Sequence, residues 1–212
     1  MGKTAAQRAA KHGLQAGQPR PGGPGPAGMP AGPQGKSSPG LLVIAGVVAT
    51  LFLFWYLHLM VPGQLSQLAD GLSMPDSMVF GYGEDHLAAL RSAMDEEALG
   101  RLSYVHKTAG TLFPLIFGLT WLLIIGLNTQ RRALRWVLFS APILFVVADL
   151  WENIAIDNAL GAVELSSGDA ALAGTLTVAR WILLGLSLVA SVVSVFTRGV
   201  GRPPELVAED KG

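Results

Sequence analysis

Four long apolar segments constrain the fold of this chain more than any other feature of its sequence. The first, LLVIAGVVATLFLFWYLHLMV, covers residues 41–61 without a formally charged side chain. At about 1.5 Å per residue, a helix of this length crosses a hydrocarbon core of about 30 Å. The pattern therefore predicts an all-α polytopic membrane protein with a bundle of four transmembrane helices. The predicted spans, within a transmembrane domain of residues 41–197, are 41–61, 108–127, 134–156 and 172–196.

Composition favours a membrane protein and excludes several functional classes. Hydrophobic residues make up 50% of the 212 residues and charged residues only 14%, whereas a soluble domain carries about a quarter charged residues. The formal net charge is zero, so nucleic acid is not an expected partner. The lack of cysteine excludes disulfides, thiolate metal sites and cysteine nucleophiles. The sequence has no nucleophile elbow and no glycine-rich fingerprint. No cofactor is expected.

The two ends of the chain differ in composition from the spans. Residues 1–40 are rich in proline and glycine and carry several lysines and arginines. Such a segment has too little apolar surface to offset the entropy lost on ordering. The sequence therefore predicts a disordered basic tail over residues 1–40, and residues 198–212 are predicted to form a second, shorter tail.

The charges between the spans predict how the chain crosses the bilayer. Lysine and arginine are retained on the cytoplasmic side of a membrane. They dominate residues 1–40 and the TQRRALR connection between spans two and three, and Arg198, Arg202 and Lys211 follow span four, whereas the other two connections are acidic. Both termini are therefore predicted to be cytoplasmic, with residues 62–107 on the outer side.

The long outer connection has a helical pattern of its own. Leu87, Leu90, Met94, Ala98 and Leu102 recur at helical spacing, with acidic residues on the opposite side. This pattern predicts one or two amphipathic helices in residues 62–107. Two interpretations are open: a cap over the outer end of the bundle, or a docking surface for a membrane-protein partner or for lipid headgroups.

A polar cluster is predicted in the outer part of the bundle. Asp149, Glu152 and Asn153 lie on one face of span three, at spacings i, i+3 and i+4. Asp157 is predicted to face the outer water. Arg180 lies at a similar depth in span four. The same helix face carries Ser187, Ser191 and Ser194, and small residues of this kind favour close contact between helices. The candidate site residues are Asp149, Glu152, Asn153, Arg180, His58, His106 and Lys107.

Three interpretations of this cluster follow from its chemistry. In the first, Arg180 pairs with an acid to specify the bundle, while Asn153 bonds to an unpaired carbonyl. In the second, a polar pocket binds a lipid headgroup, a small ligand or a proton, or performs acid–base chemistry. In the third, His58, His106, Asp149 and Glu152 hold a metal ion, although no ligand spacing typical of metal sites supports it and no metal is expected.

The favoured function is therefore that of a non-enzymatic membrane subunit or scaffold with a bundle-specifying polar cluster. The alternative is a ligand-binding, lipid-headgroup-binding, proton-coupled or catalytic membrane protein that uses Asp149, Glu152, Asn153 and Arg180. The lipid bilayer is the expected environment of the apolar spans.

Short motifs in residues 75–155 add a resemblance to this interpretation. The FGY turn at residues 80–82, Gly100-Arg101, Phe113-Pro114 and the Asp-x-x-Glu-Asn of residues 149–153 occur in that order. The chain resembles in this respect a loose group of small, uncharacterised four-span bacterial membrane proteins. An acid often found before the Phe-Pro pair is absent here, where Gly110 and Thr111 stand. The resemblance implies a four-span fold in the inner membrane of a bacterium and carries no activity.

Overall fold

The computed structural model describes residues 38–199, and in that part of the chain it contains seven α-helices and no β-strand. The predicted all-α class with four membrane-spanning helices is confirmed. The helices are α1 (Pro39–Trp55), α2 (Val61–Gln67), α3 (Glu84–Ala93), α4 (Glu96–Lys107), α5 (Ala109–Asn128), α6 (Arg132–Gly161) and α7 (Ser167–Phe196). The predictions for residues 1–37 and 200–212 lie outside the described residues.

The first span extends further than its apolar run. A π-helical segment, Tyr56–Met60, joins α1 to α2, so the helix runs without a break from Pro39 to Gln67. Pro62 lies in the first turn of α2 and has no N–H to donate to the carbonyl of His58, four residues earlier. The π-helical segment, which has a wider turn than an α-helix, lies where this donor is missing. The helix continues after it through residues 62–67.

The connection after α2 forms two more helices, which lie over one end of the bundle. Asp95 begins α4 by accepting a hydrogen bond from the Ala98 N–H at 2.8 Å. The apolar faces of α3 and α4 are buried against α6, α7 and the end of the first span, through Leu87, Leu90, Met94, Ala98 and Leu102. We call this end of the bundle, which carries residues 68–107 and 162–166, the loop end.

The third and fourth spans are the longest and pack most extensively on each other. Helix α6 runs from Arg132 to Gly161 and α7 from Ser167 to Phe196, so both extend past their apolar runs at the loop end. Arg91 of α3 closes α6 by donating to the carbonyls of Ala162, at 2.5 Å, and Val163, at 3.3 Å. Side chains such as Leu119 and Ile154 remain exposed on the outside of the bundle, as expected for surfaces that face lipid tails.

Candidate functional site

Arg180 lies at the centre of a buried polar cluster at the loop end. Its side chain is only 4% exposed. Its Nε forms an ion pair with Glu152 Oε2, its Nη1 lies 3.4 Å from Asp149 Oδ1, and its Nη2 donates to the main-chain carbonyl of Asp76 at 2.5 Å. One guanidinium therefore joins α6, α7 and the connection that holds Asp76. The polar cluster consists of His58, Asp76, His106, Asp149, Glu152, Asn153, Asp157 and Arg180.

Helical spacing on α6 and α7 explains why these groups face each other. Asp149 and Glu152 are buried on one face of α6, three residues apart. On α7, Arg180, Ser187 and Ser194 are likewise buried, seven residues apart along a single stripe. Small hydroxyl residues on this stripe let the helix backbones approach closely, and so the long Arg180 side chain ends inside the bundle.

His58 enters the cluster from the π-helical segment. Its Nε2 lies 3.0 Å from Arg180 Nη1, and its Nδ1 lies 3.2 Å from the Phe54 carbonyl oxygen. An arginine can only donate, so Nε2 must accept while Nδ1 carries the proton. The ring is therefore neutral, and it is enclosed by Phe54, Phe113 and Trp181 at centroid distances of 4.5, 5.5 and 5.2 Å.

His106 joins two acids that are distant in sequence. Its Nδ1 lies 2.6 Å from Asp157 Oδ1 and its Nε2 lies 3.1 Å from Asp76 Oδ2, while its side chain is 2% exposed. Because both carboxylate oxygens accept, both ring nitrogens donate and the ring is an imidazolium. Ser103 donates to the other oxygen of Asp157 at 2.8 Å. Asp157 was predicted to face the outer water, and instead it pairs with α4 at the rim of the cluster.

The carboxyl group of Asp76, which lies outside the spans, is held in its charged form by neighbouring cations. Burial opposes its ionisation, but the neighbouring His106 and Arg180 cations outweigh that effect and lower its pKa from 3.8 to about 2. At equilibrium the carboxylate is therefore charged across the physiological pH range. The Asp76 side chain holds His106 while its main-chain carbonyl holds Arg180, so this one residue connects α4 to α7.

Asn153 compensates for a proline. Pro114 in α5 has no N–H to donate to the carbonyl of Gly110, four residues earlier. The Asn153 side-chain amide donates to that carbonyl at 3.1 Å. The close approach favours glycine, because a Cβ on Gly110 would lie 3.2 Å from Asn153 Nδ2, a tight contact. Pro114 of the second span and Asn153 of the third span are therefore linked through the carbonyl of Gly110.

We expect Asn153→Leu to destabilise the bundle by about 1 kcal/mol, because it leaves the Gly110 carbonyl without a donor. In a Pro114→Ala background the same substitution should cost less, since the N–H of residue 114 can then bond to Gly110 within the helix. Thermal unfolding of the four proteins in detergent gives the coupling. Equal losses in both backgrounds would show that Asn153 does not serve the carbonyl that Pro114 frees.

The FGY turn positions Asp76 beside the spans. Gly81 has a φ of +79°, a backbone conformation that favours glycine, and its N–H donates to the Met78 carbonyl at 2.8 Å. The backbone of Tyr82 lies directly on α7, where a Cβ on Gly174 would be 2.5 Å from the Tyr82 carbonyl oxygen. Burial raises the pKa of the Tyr82 phenol above its ordinary value. The phenol is therefore uncharged and adds no charge next to the cluster.

The cluster encloses almost no free space. A cavity of about 20 Å³, lined by His58, Asp76, His106, Asp149, Asn153 and Arg180 among others, is large enough for one water molecule. Among residues 38–199, no group of three or more histidine and acidic side chains is arranged to hold a metal ion. Lys107 is exposed, and within the same range it takes no part in the hydrogen bonds and ion pairs of the cluster.

Sequence reasoning missed the role of Asp76, Ser103 and the pairing of Asp157. Asp157 follows Asn153 by four residues, and this continuation of the polar face was the available signal. The only sequence signal for Asp76 was its position beside Pro75 and close to the FGY turn. Helical periodicity gives no information about such a connection.

The fold and the cluster together define a polytopic membrane protein whose four spans are joined at one end by buried charges. Comparisons with protein-family models, curated proteins and solved structures found no match to this chain.

Proposed function

We propose that the protein is a non-enzymatic membrane subunit or scaffold of a bacterial inner membrane. Both termini lie in the cytoplasm and the loop end faces outward, as the alternation of basic and acidic segments favours. The polar cluster fixes the loop end on the spans, and the loop end is the surface that a membrane-protein partner contacts.

The observation that carries this proposal is the closed state of the cluster. Asp149, Glu152 and Arg180 are each no more than 5% exposed, and the cavity that Asp149 and Arg180 line with their neighbours measures about 20 Å³. Binding sites for small molecules usually measure about 300–1,000 Å³. A headgroup or an organic substrate does not fit into such a space, whereas a set of charges that holds helices together needs none.

Exposed aromatic side chains at the loop end support the second part of the proposal. Phe80 of the FGY turn is 98% exposed and Tyr104 of α4 is 69% exposed. Aromatic residues are enriched where proteins bind one another. Both side chains lie outside the polar cluster, so their substitution tests the surface separately from the charges.

Complementation separates the proposal from an enzymatic alternative. In a strain that lacks the protein, Asp149→Asn and Glu152→Gln should restore the wild-type phenotype at normal expression, since neither side chain acts on a substrate. Phe80→Ser and Tyr104→Ser should fail while the variants still fold. The opposite result, in which folded acid variants fail and surface variants succeed, would show a working site in the cluster.

Cysteine labelling tests the orientation, because the native chain has no cysteine. Ala89→Cys, on the exposed side of α3, should react with a membrane-impermeant reagent in intact cells. Gln130→Cys, in the connection between α5 and α6, should react only after lysis. The reverse pattern would place the loop end in the cytoplasm.

A further inference from the structure

Two buried carboxyl groups share one cation in the polar cluster. Asp149 and Glu152 are 5% and 1% exposed, and Arg180 is the cation in contact with both. His58 contributes no charge, because its Nε2 accepts from Arg180. If both acids were ionised, one negative charge would stay uncompensated where solvent cannot reach it, and such an arrangement favours uptake of a proton.

The hydrogen bonding of Glu152 points the same way. Its Oε1 is buried and accepts no hydrogen bond from any of residues 38–199. A buried ionised oxygen without a donor is costly, and the cost falls when the carboxyl group takes up a proton. The charged or titratable groups around Glu152 are His58 from the first span, Asp76 and Tyr82 from the connection, His106 from α4, Asp149 from α6 and Arg180 from α7.

A chain of proton-carrying groups leads from this pair to the solvent. Asp157, with a side chain 16% exposed, lines an open groove of about 610 Å³ between α4 and the end of α6. His106 contacts Asp157 through one nitrogen and Asp76 through the other. Asp76 and Asp149 both line the cavity of about 20 Å³, where one water can connect them.

We propose that Asp149 and Glu152 together bind one exchangeable proton, which reaches them from the solvent at the loop end through Asp157, His106 and Asp76. In each transfer one N–H or O–H bond breaks and another forms. Asp157 takes a proton from solvent. His106 gives its Nε2 proton to Asp76 and becomes neutral with Nδ1 still protonated. The ring then turns over, so that the vacant Nε2 faces Asp157 and takes a proton from it, while the Nδ1–H faces Asp76. Asp76 passes its proton through the cavity water to the acid pair. These steps transfer protons only, and no group is oxidised or reduced. A shared proton goes beyond the proposed scaffold function.

Infrared spectroscopy of the purified protein in nanodiscs at pH 7 tests the shared proton. The wild type should show a carbonyl band of a protonated carboxylic acid that shifts in D₂O. Either Asp149→Asn or Glu152→Gln should remove this band, because the remaining acid then pairs with Arg180 as a carboxylate. Glu164→Gln, which changes an exposed acid, should keep it. A wild type without the band, or a band that survives in both single variants, would overturn the proposal.

The rate of the D₂O shift tests the route. Removal of a positioned proton carrier typically slows transfer by about a hundredfold or more, so His106→Gln should slow the shift by that factor. Asp157→Asn, a smaller change at the rim, should also slow it and covers the case in which His106→Gln does not fold. Glu164→Gln should exchange as the wild type does. Wild-type exchange rates in a folded Asp157→Asn or His106→Gln protein would refute the relay.

Discussion

Arg180→Leu is expected to be among the most destabilising single substitutions in the chain, with a loss of about 3 kcal/mol or more in detergent. The substitution leaves Asp149 and Glu152 without their cation and removes the donor to the Asp76 carbonyl. Uptake of a further proton by the acids will reduce the loss but cannot replace the lost contact between α7 and the connection. Thermal or denaturant unfolding measures the effect.

A second substitution separates a structural pair from an incidental one. Arg180→Leu combined with Glu152→Leu should recover part of the loss, because one of the two buried acids is then no longer left without its cation. Recovery should stay incomplete, since Asp149 remains buried without Arg180 and the Asp76 carbonyl still lacks its donor. Arg101→Leu is the matched control: its ion pair with Glu97 is exposed, and loss of such a pair changes stability by no more than about 1 kcal/mol. Strictly additive losses in the double variant would mean that the pair contributes nothing.

Gly174→Ala should destabilise the protein by about 3 kcal/mol, because the new methyl group would lie 2.5 Å from the Tyr82 carbonyl oxygen. A backbone atom cannot move aside as a flexible side chain can. The FGY turn must therefore shift away from α7 and take Asp76 with it, which weakens the contact of Asp76 with Arg180. Unfolding measurements give the loss, and reactivity of an introduced Ser77→Cys would report the displaced connection.

Gly185→Ala is the control for this prediction. Gly185 lies on the same helix, and a Cβ there meets nothing within 4 Å. Alanine is a better helix former than glycine by about 1 kcal/mol, so this variant should be as stable as the wild type or more stable. If both glycine substitutions had the same effect, close contact with the FGY turn would not be what stabilises the loop end.

The spans and the facing residues of α6 and α7 could be predicted because their signals are local. An uninterrupted apolar run indicates a membrane helix, and residues at i, i+3 and i+4 share a face whatever the partner. It could be predicted that Asn153 bonds to an unpaired carbonyl, because a proline within a helix leaves the carbonyl four residues earlier without its donor. Which carbonyl it was depended on how α5 and α6 pack.

The sequence by itself determined the class of protein, the four helices and the shared face of Asp149 and Glu152 on α6, since hydrophobicity and helical period act within one segment. The pairing of these acids with Arg180 was one of three interpretations that the sequence left open. Only the tertiary structure decided that His106 lies between Asp76 and Asp157, 30 and 51 residues away along the chain. It also decided that the cluster closes to about 20 Å³. These contacts depend on where the FGY turn packs on α7 and on the direction in which the π-helical segment points His58. The periodicity of a sequence does not show which distant segments contact each other.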